Sequence, residues 1–365
     1  MNDVKIIAAY LPQYHEIPEN NKWWGKGYTD WVAVKKSKPL YEGHKQPRIP
    51  LDENYYDLSD TDAIRWQAKL AKKYGVYGFG IYHYWFSDEQ QLLTKPAELI
   101  LENRDIDINF CFIWDNNSWV NKTWKNVKFT NQWAPQFEKN NKSDSGILAE
   151  LKYGDEKSWD RHYAYLKKFF DDPRYIKDDG RPIFGIFQPT NDRERLLKMC
   201  SYMHELAQKD GYPGILFISA ATFSRKKIDL EFRYEPFNVC SPLDYIRRKT
   251  MLKKDLKEYD YDQVWKKILF NAKYLKSGST IYGGFVRYDD SPRRGDKANI
   301  ITGESPQKFC NYLKQLLKLS KKQGKKYIYL TAWNEWGEGA YLEPDEDSGY
   351  EYLEALEKAL NEYEN

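Results

Sequence analysis

Two glutamates near the C-terminal end of the chain, Glu335 and Glu338, lie three residues apart in the segment TAWNEWGEGAYLEPD, residues 331–345. The segment follows an apolar run typical of a buried strand, and Gly337 and Gly339 permit a tight turn. Cleavage of a glycosidic bond uses two carboxyl groups, one that protonates the leaving oxygen and one that assists attack at the anomeric carbon. Mutual repulsion and desolvation by indole rings raise one pKa of such a pair towards neutrality. The spacing predicts a catalytic pair, and a structural role for either glutamate, with Glu338 as a loop cap, is the alternative.

Short β-rich runs alternate with helical patterns along the chain, and together they must position this pair. Repeated strand–helix alternation indicates a parallel sheet, and eight units favour a closed barrel. We therefore predict an α/β fold, a single (β/α)8 TIM barrel that forms one catalytic domain over residues 1–365. An open doubly wound sheet is the alternative, but the chain has no GxGxxG motif to support it. The eight predicted strands, of which the sixth is weakly marked, are Val4–Tyr10, Gly78–Tyr84, Ile108–Trp114, Pro182–Gln188, Ile215–Ala220, Glu231–Glu235, Ile281–Tyr288 and Tyr327–Trp333.

Helical patterns and long polar segments fill the intervals between these strands. Four long segments, 11–58, 115–156, 236–259 and 289–305, each follow a strand, and in a barrel the loops after strands build the active site. A short helical link near Lys226 is weakly indicated. The predicted helices are Asp60–Tyr74, Leu92–Leu101, Lys157–Phe170, Asp192–Lys209 with Asp192 as its N-cap, Tyr261–Lys276, Pro306–Lys322 and Gly349–Glu362.

Polar, acidic and aromatic residues are concentrated where the predicted strands end. A sugar site needs such groups, because hydroxyls require donors and acceptors and ring faces pack on aromatic side chains. For His83 a satisfied structural role is the alternative, and Arg293 either holds a phosphate or uronate of a substrate or belongs to an ion-paired loop. Tyr14 also follows the first strand but is not among the selected residues. The predicted substrate-binding residues are Tyr10, Tyr82, His83, Tyr84, Trp85, Trp114, Asn116, Trp119, Glu235, Tyr288, Asp290, Arg293, Trp333, Asn334 and Trp336.

Metal-binding patterns are weak in this sequence. It contains neither HxH nor HExxH, and its four cysteines are scattered, as is typical of a reducing compartment. Two DxD pairs, Asp60 with Asp62 and Asp105 with Asp107, open a helix or precede a strand, which is the wrong side of the sheet for a ligand. We expect no metal ion and no cofactor.

Charge and hydropathy exclude several other classes of protein. The 365 residues carry 57 basic and 54 acidic side chains, a formal net charge of +3, and the mean hydropathy is −0.83. No basic stripe indicates nucleic-acid binding, and no apolar run approaches the ~20 residues that span a bilayer. The first residues lack the pattern of a signal peptide, so we expect a cytoplasmic protein.

The chain from about residue 5 to 358 resembles the WbsX-type, glycoside hydrolase family 99-like proteins of bacterial polysaccharide loci. The resemblance implies a (β/α)8 barrel and a site like that of the retaining endo-α-mannosidases of family 99, which work through a 1,2-anhydro sugar. It implies that Glu335 is the base towards the 2-hydroxyl and Glu338 the general acid. Those mannosidases have a histidine between the two glutamates, whereas this chain has Trp336 and Gly337. In WbsX-type chains a glutamate is common where this chain has Asn117. The motifs that carry the resemblance are Tyr82–Phe86, Ile113-Trp114-x-Asn116, Phe170-x-Asp172-Pro173-Arg174-Tyr175, Asp290-Ser291-Pro292-Arg293 and Trp333–Pro344.

These observations predict a carbohydrate-active enzyme. The favoured function is a retaining, endo-α-mannosidase-like α-glycoside hydrolase that acts on a bacterial polysaccharide or its precursor. A glycosyltransferase or transglycosidase of O-antigen or capsule biosynthesis is the alternative, and a non-catalytic glycan-binding barrel is the third hypothesis. The expected partner is an oligosaccharide or polysaccharide, together with a peripheral association with polysaccharide assembly machinery. We expect neither a nucleic-acid partner nor a transmembrane segment.

Overall fold

The computed structural model describes residues 4–121, 130–131, 146–220, 228–239, 257–274 and 278–363. The centre of this described part is a barrel of eight strands whose residues are mostly buried. The barrel strands are β1 (Lys5–Tyr10), β2 (Val76–Ser87), β3 (Asn109–Trp114), β4 (Arg181–Ile186), β5 (Leu216–Ala220), β6 (Leu230–Phe232), β7 (Thr280–Phe285) and β8 (Tyr327–Thr331).

Neighbouring barrel strands are parallel and follow one another in chain order. The sheet closes because β1 pairs with β2 on one side and with β8 on the other, where Lys5 lies opposite Tyr327 and Ala8 opposite Leu330. The predicted (β/α)8 TIM barrel is therefore confirmed, and the open doubly wound sheet is excluded. In a closed parallel barrel, all strand C-termini meet at one end, where the site residues must be sought.

Helices surround the barrel, and several of them begin after a residue whose side chain caps the first turn. Asp60, Asp155 and Ser305 each accept a hydrogen bond from a backbone N–H of the first turn that follows them. Asp192 precedes its helix as predicted, but its side chain forms no capping hydrogen bond. The principal helices are α1 (Pro18–Trp24), α2 (Asp30–Lys36), α3 (Thr61–Lys73), α4 (Lys95–Glu102), α5 (Glu156–Phe170), α6 (Arg193–Lys209), α7 (Tyr261–Tyr274), α8 (Ser291–Arg294), α9 (Pro306–Lys322) and α10 (Glu351–Glu362).

Short elements outside the barrel shape its loops. The segment after β1 contains α1 and α2, and a parallel pair of strands joins the segments after β6 and β7. The helical link predicted near Lys226 lies outside the described residues. The short strands are Gln90–Leu92, Ser118–Val120, Thr130–Asn131, Ile147–Ala149, Lys177–Asp178, Lys257–Asp260, Asn299–Thr302, Asn334–Glu335 and Ala340–Tyr341, and 3-10 turns cover Leu51–Glu53, Gly295–Lys297 and Trp336–Glu338.

Four barrel strands end earlier than the sequence predicts. β4 ends at Ile186, β6 at Phe232, β7 at Phe285 and β8 at Thr331, and the last two of these residues lie opposite each other. Residues predicted as the ends of these strands, such as Tyr288, therefore belong to the loops. This shift moves them from the wall of the barrel to its rim.

Aromatic rings fill the barrel below that rim. Phe232 packs against Tyr329 with the ring centroids 4.9 Å apart. A Cβ atom on Gly80 would lie 2.9 Å from the ring of Tyr329, so only glycine permits this close approach. The interior is a packed core, and a substrate can therefore approach only the end where the loops lie.

Candidate active site

The loop after β8 carries both glutamates on a tight hairpin. Asn334–Glu335 pairs antiparallel with Ala340–Tyr341, and a 3-10 turn over Trp336–Glu338 joins the two short strands. Gly339 has a φ of 58°, a left-handed conformation that glycine adopts without steric cost. The hairpin therefore brings Glu335 and Glu338 to the same side of the barrel rim.

The loop after β1 fixes the start of this hairpin. The Asn334 side chain accepts a hydrogen bond from the Leu11 backbone N–H at 2.8 Å and donates one to the Leu11 carbonyl at 3.0 Å. The Tyr14 hydroxyl donates to the Asn334 carbonyl at 2.7 Å and accepts from the Trp336 backbone N–H at 3.0 Å. Asn334 is thus a positioning residue that aligns the glutamates with the first strand.

Trp336 anchors the turn from below. Its indole Nε1 donates to Glu343 Oε2 at 2.6 Å, and its ring stacks on Tyr341 with the centroids 3.6 Å apart. Glu343 also accepts hydrogen bonds from Gln67 Nε2 at 2.7 Å and from the Tyr56 hydroxyl at 2.8 Å. Since only 1% of Trp336 is exposed, the ring supports the turn instead of offering a face to a sugar.

Arg293 joins the two glutamates through one guanidinium group. Its Nη2 lies 2.8 Å from Glu335 Oε1, and its Nη1 lies 3.1 Å from Glu338 Oε1. The same Nη2 lies 2.5 Å from Oδ2 of Asp30, the first residue of α2, and Gln13 Nε2 donates to that oxygen at 3.1 Å. Three carboxylates from two distant parts of the chain therefore meet at one cation.

Burial has the largest effect on the pKa values of the two glutamates. It raises the pKa of Glu335 and also that of Glu338, and Arg293 opposes the rise at both. Asp30 raises both pKa values further, and Asp290 raises that of Glu338. Because one guanidinium faces three buried carboxylates, the charge balance favours uptake of a proton by the glutamate pair. Such a shared proton is what paired acid and base catalysis requires.

Tyrosine hydroxyls surround the pair. Burial and the charges of Asp115 and Glu335 raise the pKa of Tyr84. Burial and both glutamates raise that of Tyr234. Burial, Asp290 and Glu338 raise that of Tyr288. These side chains remain neutral donors beside the carboxylates.

Aromatic side chains form a continuous series of ring contacts beside the glutamate pair. Neighbouring ring centroids lie 5.9 Å apart for Tyr82 and Phe187, 5.0 Å for Phe187 and Tyr234, and 5.2 Å both for Tyr234 with Phe237 and for Phe237 with Tyr288. Phe187 and Phe237 are half-buried, so part of each ring is accessible. We call these five residues the aromatic wall, and flat rings beside carboxylates suit the apolar faces of sugars.

Alternation along β2 separates the predicted aromatic residues into two groups. Tyr82 and Tyr84 point towards the site, whereas His83 and Trp85 point outwards to α5. His83 Nε2 lies 2.8 Å from His162 Nε2, and Trp85 stacks on the His162 ring at 4.4 Å with an interplanar angle of 7°. Trp114 joins this outer cluster, since its Nε1 donates to the Trp85 carbonyl. The structure thus does not bring His83, Trp85 and Trp114 to the carboxylates.

Glu235 also points away from the pair. Its Oε1 lies 3.5 Å from Arg233 Nε, and its side chain packs against the backbone of Gly283. Burial raises the pKa of Glu235 to about 7. The neighbouring Tyr234 faces the site instead.

Other predicted residues connect the loops. Asn116 binds the loop after β4, because its Oδ1 accepts from the Gln188 N–H at 2.6 Å. Asp290 accepts from the Asn299 N–H at 2.7 Å and lies 2.8 Å from Arg294 Nε. Trp119 packs against Tyr84 with the ring centroids 5.1 Å apart. These contacts support the rim.

Tyr10 and Trp333 lie on the outer face of the barrel, in the layer between the strands and α3. The Tyr10 hydroxyl donates to Gln67 Oε1 at 2.7 Å, and Trp333 packs against Phe79. Sequence reasoning selected both and missed Asp30 and Tyr234. No sequence pattern near Asp30 marks it as a site residue. The alternation of side chains along the sixth strand could have identified Tyr234.

The described residues contain no group of three or more His, Cys, Asp or Glu side chains that could hold a metal ion. The two DxD pairs have other roles. Asp60 caps α3, Asp62 and Asp105 pair with Arg65, and Asp107 pairs with a lysine of α3. No helix in the described part of the chain is long and apolar enough to span a membrane.

The family model described as "Glycosyltransferase WbsX" matches residues 6–356, so the chain belongs to that family. This membership confirms the resemblance noted in the sequence.

Two curated relatives, both called "Uncharacterized protein WxcX", come from Xanthomonas campestris pv. campestris strains B100 and ATCC 33913. Each is 28% identical over 364 residues, which cover 97% of this chain and 49% of the relative. The chain therefore spans about half the length of the curated relatives it matches.

Solved structures support the fold. The GH99 endo-alpha-mannosidase from Bacteroides thetaiotaomicron superposes with a TM-score of 0.58 at 15% identity, and the alignment covers 100% of this chain and 98% of that one. A "glycoside hydrolase-like protein" gives a TM-score of 0.58 at 12% identity, over 99% of this chain and 94% of the other. At these identities the likeness concerns the fold alone.

Proposed function

We propose that the protein is a retaining α-glycoside hydrolase, endo-α-mannosidase-like, that cleaves a bacterial polysaccharide or its precursor. The observation that carries the proposal is the pair of Glu335 and Glu338, three residues apart on one turn and joined by Arg293. The aromatic wall beside the pair supports a carbohydrate substrate.

In the first step, the substrate supplies its own nucleophile. The Glu335 carboxylate takes the proton of the 2-hydroxyl, and O2 attacks C1 while the bond from C1 to the leaving oxygen breaks. Glu338, in its acid form, donates its proton to that oxygen. The products are a 1,2-anhydro sugar and a free alcohol. The side chain of Glu338 is 14% exposed against 3% for Glu335, which suits Glu338 for contact with the leaving group.

The second step reverses these roles. Water attacks C1 on the face that the leaving group vacated, and the Glu338 carboxylate takes a proton from the water. The Glu335 acid returns its proton to O2 as the three-membered ring opens. Two displacements at C1 give net retention, and no separate protein nucleophile is needed.

A glycosyltransferase or transglycosidase of polysaccharide assembly is the second candidate. The description of the family favours it. In a transglycosidase, an acceptor hydroxyl takes the place of water in the second step. The same two glutamates would then serve both activities.

Product stereochemistry tests the proposal. The wild-type protein is mixed with α-linked oligosaccharides, including α-mannans and fragments of bacterial O-antigens and capsules, and proton NMR follows the first anomer released. We expect the α-anomer, without added metal or sugar nucleotide. Release of the β-anomer contradicts the mechanism, and turnover that requires a nucleotide sugar supports the transferase instead.

A further inference from the structure

The guanidinium of Arg293 occupies the space above Gly337. A Cβ atom built on Gly337 would lie 2.5 Å from Arg293 Nε and 2.9 Å from both Cζ and Nη2. The backbone of Gly337 is not in the positive-φ region, so its conformation does not require glycine. The missing side chain at residue 337 is therefore explained by the position of Arg293.

Charged and titratable groups face this guanidinium from several elements. Asp30 approaches from α2, and Glu335 and Glu338 approach from the hairpin after β8. Tyr14 from the loop after β1 also acts on the guanidinium electrostatically, as does the neighbouring Arg294. Further groups that interact electrostatically with Arg293 or with the two glutamates include Tyr28, Tyr84, Tyr234, Tyr288 and Asp290.

The fork of the guanidinium fits the spacing of the two glutamates. Nη1 contacts Glu338 and Nη2 contacts Glu335, so one rigid planar group fixes the separation of the two carboxylates. A lysine ammonium is a point charge on a flexible stem and cannot impose this geometry. The Asp30 contact holds the same Nη2 in place from the opposite side.

We propose that Arg293, seated in the space left by Gly337, is the positioning residue and permanent counter-ion of the glutamate pair, and that it controls how readily the pair takes up a proton. This assignment differs from a binding site for a substrate phosphate or uronate, because the guanidinium already faces three carboxylates of the protein. The catalytic part of the inference depends on the proposed function, whereas the electrostatic part does not.

Loss of the Arg293 cation changes the pKa of the glutamate pair in a defined direction. An opposite charge within hydrogen-bonding distance lowers the pKa of a carboxyl group by about 1–3 units. Moving Arg293 away therefore raises the pKa of the pair, and the acidic limb of the activity profile moves to higher pH. A role confined to packing would lower activity or stability without moving this limb.

The test compares two glycine variants that add the same methyl group. Gly337→Ala places it against Arg293, whereas Gly278→Ala places it in open space, and neither residue has a positive φ. Infrared spectra of the substrate-free protein, titrated with acid, measure the protonated carboxyl band. We expect the midpoint of the site carboxyls to rise by about 1–3 units in Gly337→Ala and in Arg293→Met. Gly278→Ala should titrate as wild type, and Arg293→Lys should lie between.

Stability gives a second readout without substrate. The carboxyl pKa is raised above its unfolded value, so the stability it contributes is present at low pH and is lost as pH rises through the folded pKa. The loss of Tm in Gly337→Ala should therefore be larger at pH ~8 than at pH ~5. If Arg293→Met fails to fold, Gly337→Ala and Arg293→Lys carry the test.

Unchanged titration midpoints in Gly337→Ala and Arg293→Lys, with a pH-independent loss of Tm, overturn the role of Arg293. Failure of the wild-type protein to cleave any α-glycan contradicts the proposed function instead. In that case the substrate-free titration still decides whether Arg293 controls the protonation of the pair.

Discussion

Replacing Glu343 with glutamine tests the buried network that supports the turn carrying Glu335 and Glu338. The carboxylate accepts from Trp336, Tyr56 and Gln67, and Gln67 Oε1 in turn accepts from Tyr10. In Glu343→Gln, the new amide can donate to Gln67 if the Gln67 amide rotates by half a turn, since the Tyr10 hydroxyl can also accept. The hydrogen bonds to Trp336 and Tyr56 are then kept, and we expect turnover to persist.

The magnitude follows from proton linkage. Burial raises the pKa of Glu343 from 4.5 to about 7, so the native state binds the proton more tightly than the unfolded chain. The stability that Glu343 contributes is fully present below pH ~4.5 and is lost as pH rises through ~7. At 1.36 kcal/mol per pH unit, the wild type should lose about 2–3 kcal/mol relative to Glu343→Gln between pH ~5 and ~8.

Urea denaturation of both proteins across this pH range measures the difference. Glu343→Leu is the contrasting variant, because it leaves the Trp336, Tyr56 and Gln67 donors without an acceptor. Relative to Glu343→Gln, which does not titrate either, we expect it to cost about 3–5 kcal/mol at every pH and to reduce turnover as the turn loosens. Parallel stability curves for wild type and Glu343→Gln would refute the assignment of a neutral-range pKa to Glu343.

Three further variants examine the surroundings of the site. Trp85→Ala should cost about 2–4 kcal/mol of stability through lost packing on His162, while oligosaccharide affinity measured in an inactive Glu338→Gln background stays the same; weaker binding would place Trp85 in the site. Phe237→Ala in that background should weaken binding by about 1–3 kcal/mol, and unchanged affinity would remove it from the aromatic wall's function. Glu235→Gln should retain turnover and become more stable than wild type as pH rises through 7, and loss of turnover would contradict its outward placement.

The barrel could be predicted because its signal is local and repeated. Each strand–helix unit carries its own hydrophobic period, and helices such as α9 carry their own cap and proline start. Even the weak sixth strand was placed within a few residues of β6. Strand ends were less accurate, because most residues that follow β7 and β8, such as Val286, Tyr288 and Trp333, are apolar or aromatic and keep the composition of a strand after the pairing has ended.

The orientation of the side chains in β2 could have been predicted from the sequence. Strand residues alternate between the two faces, so Tyr82 and Tyr84 cannot share a face with His83 and Trp85. The prediction placed all four residues in one site, although alternate residues of a strand lie on opposite faces of the sheet. The same reasoning selected Glu235 where the neighbouring Tyr234 faces the site.

The long-range contacts of the site could not be predicted from the sequence. The distance in sequence between Asp30 and Arg293 is 263 residues, and nothing near Asp30 distinguishes it from other residues that begin helices. The close approach of Arg293 to Gly337 depends on how two loops pack at the rim. Such contacts follow from the closed fold and leave no periodic pattern in the chain.

Glu335 and Glu338 have separate roles in the proposed mechanism, the first as base and the second as acid. The direct measurement compares Glu335→Gln and Glu338→Gln on two α-glycosides with the same sugar, one with a poor alcohol leaving group and one with an activated aryl leaving group. Glu338→Gln should lose activity on the poor leaving group and recover much of it on the activated one, because that group departs without a proton. Glu335→Gln should remain inactive on both. Equal recovery in the two variants, or wild-type rates in either one, would contradict the proposed mechanism.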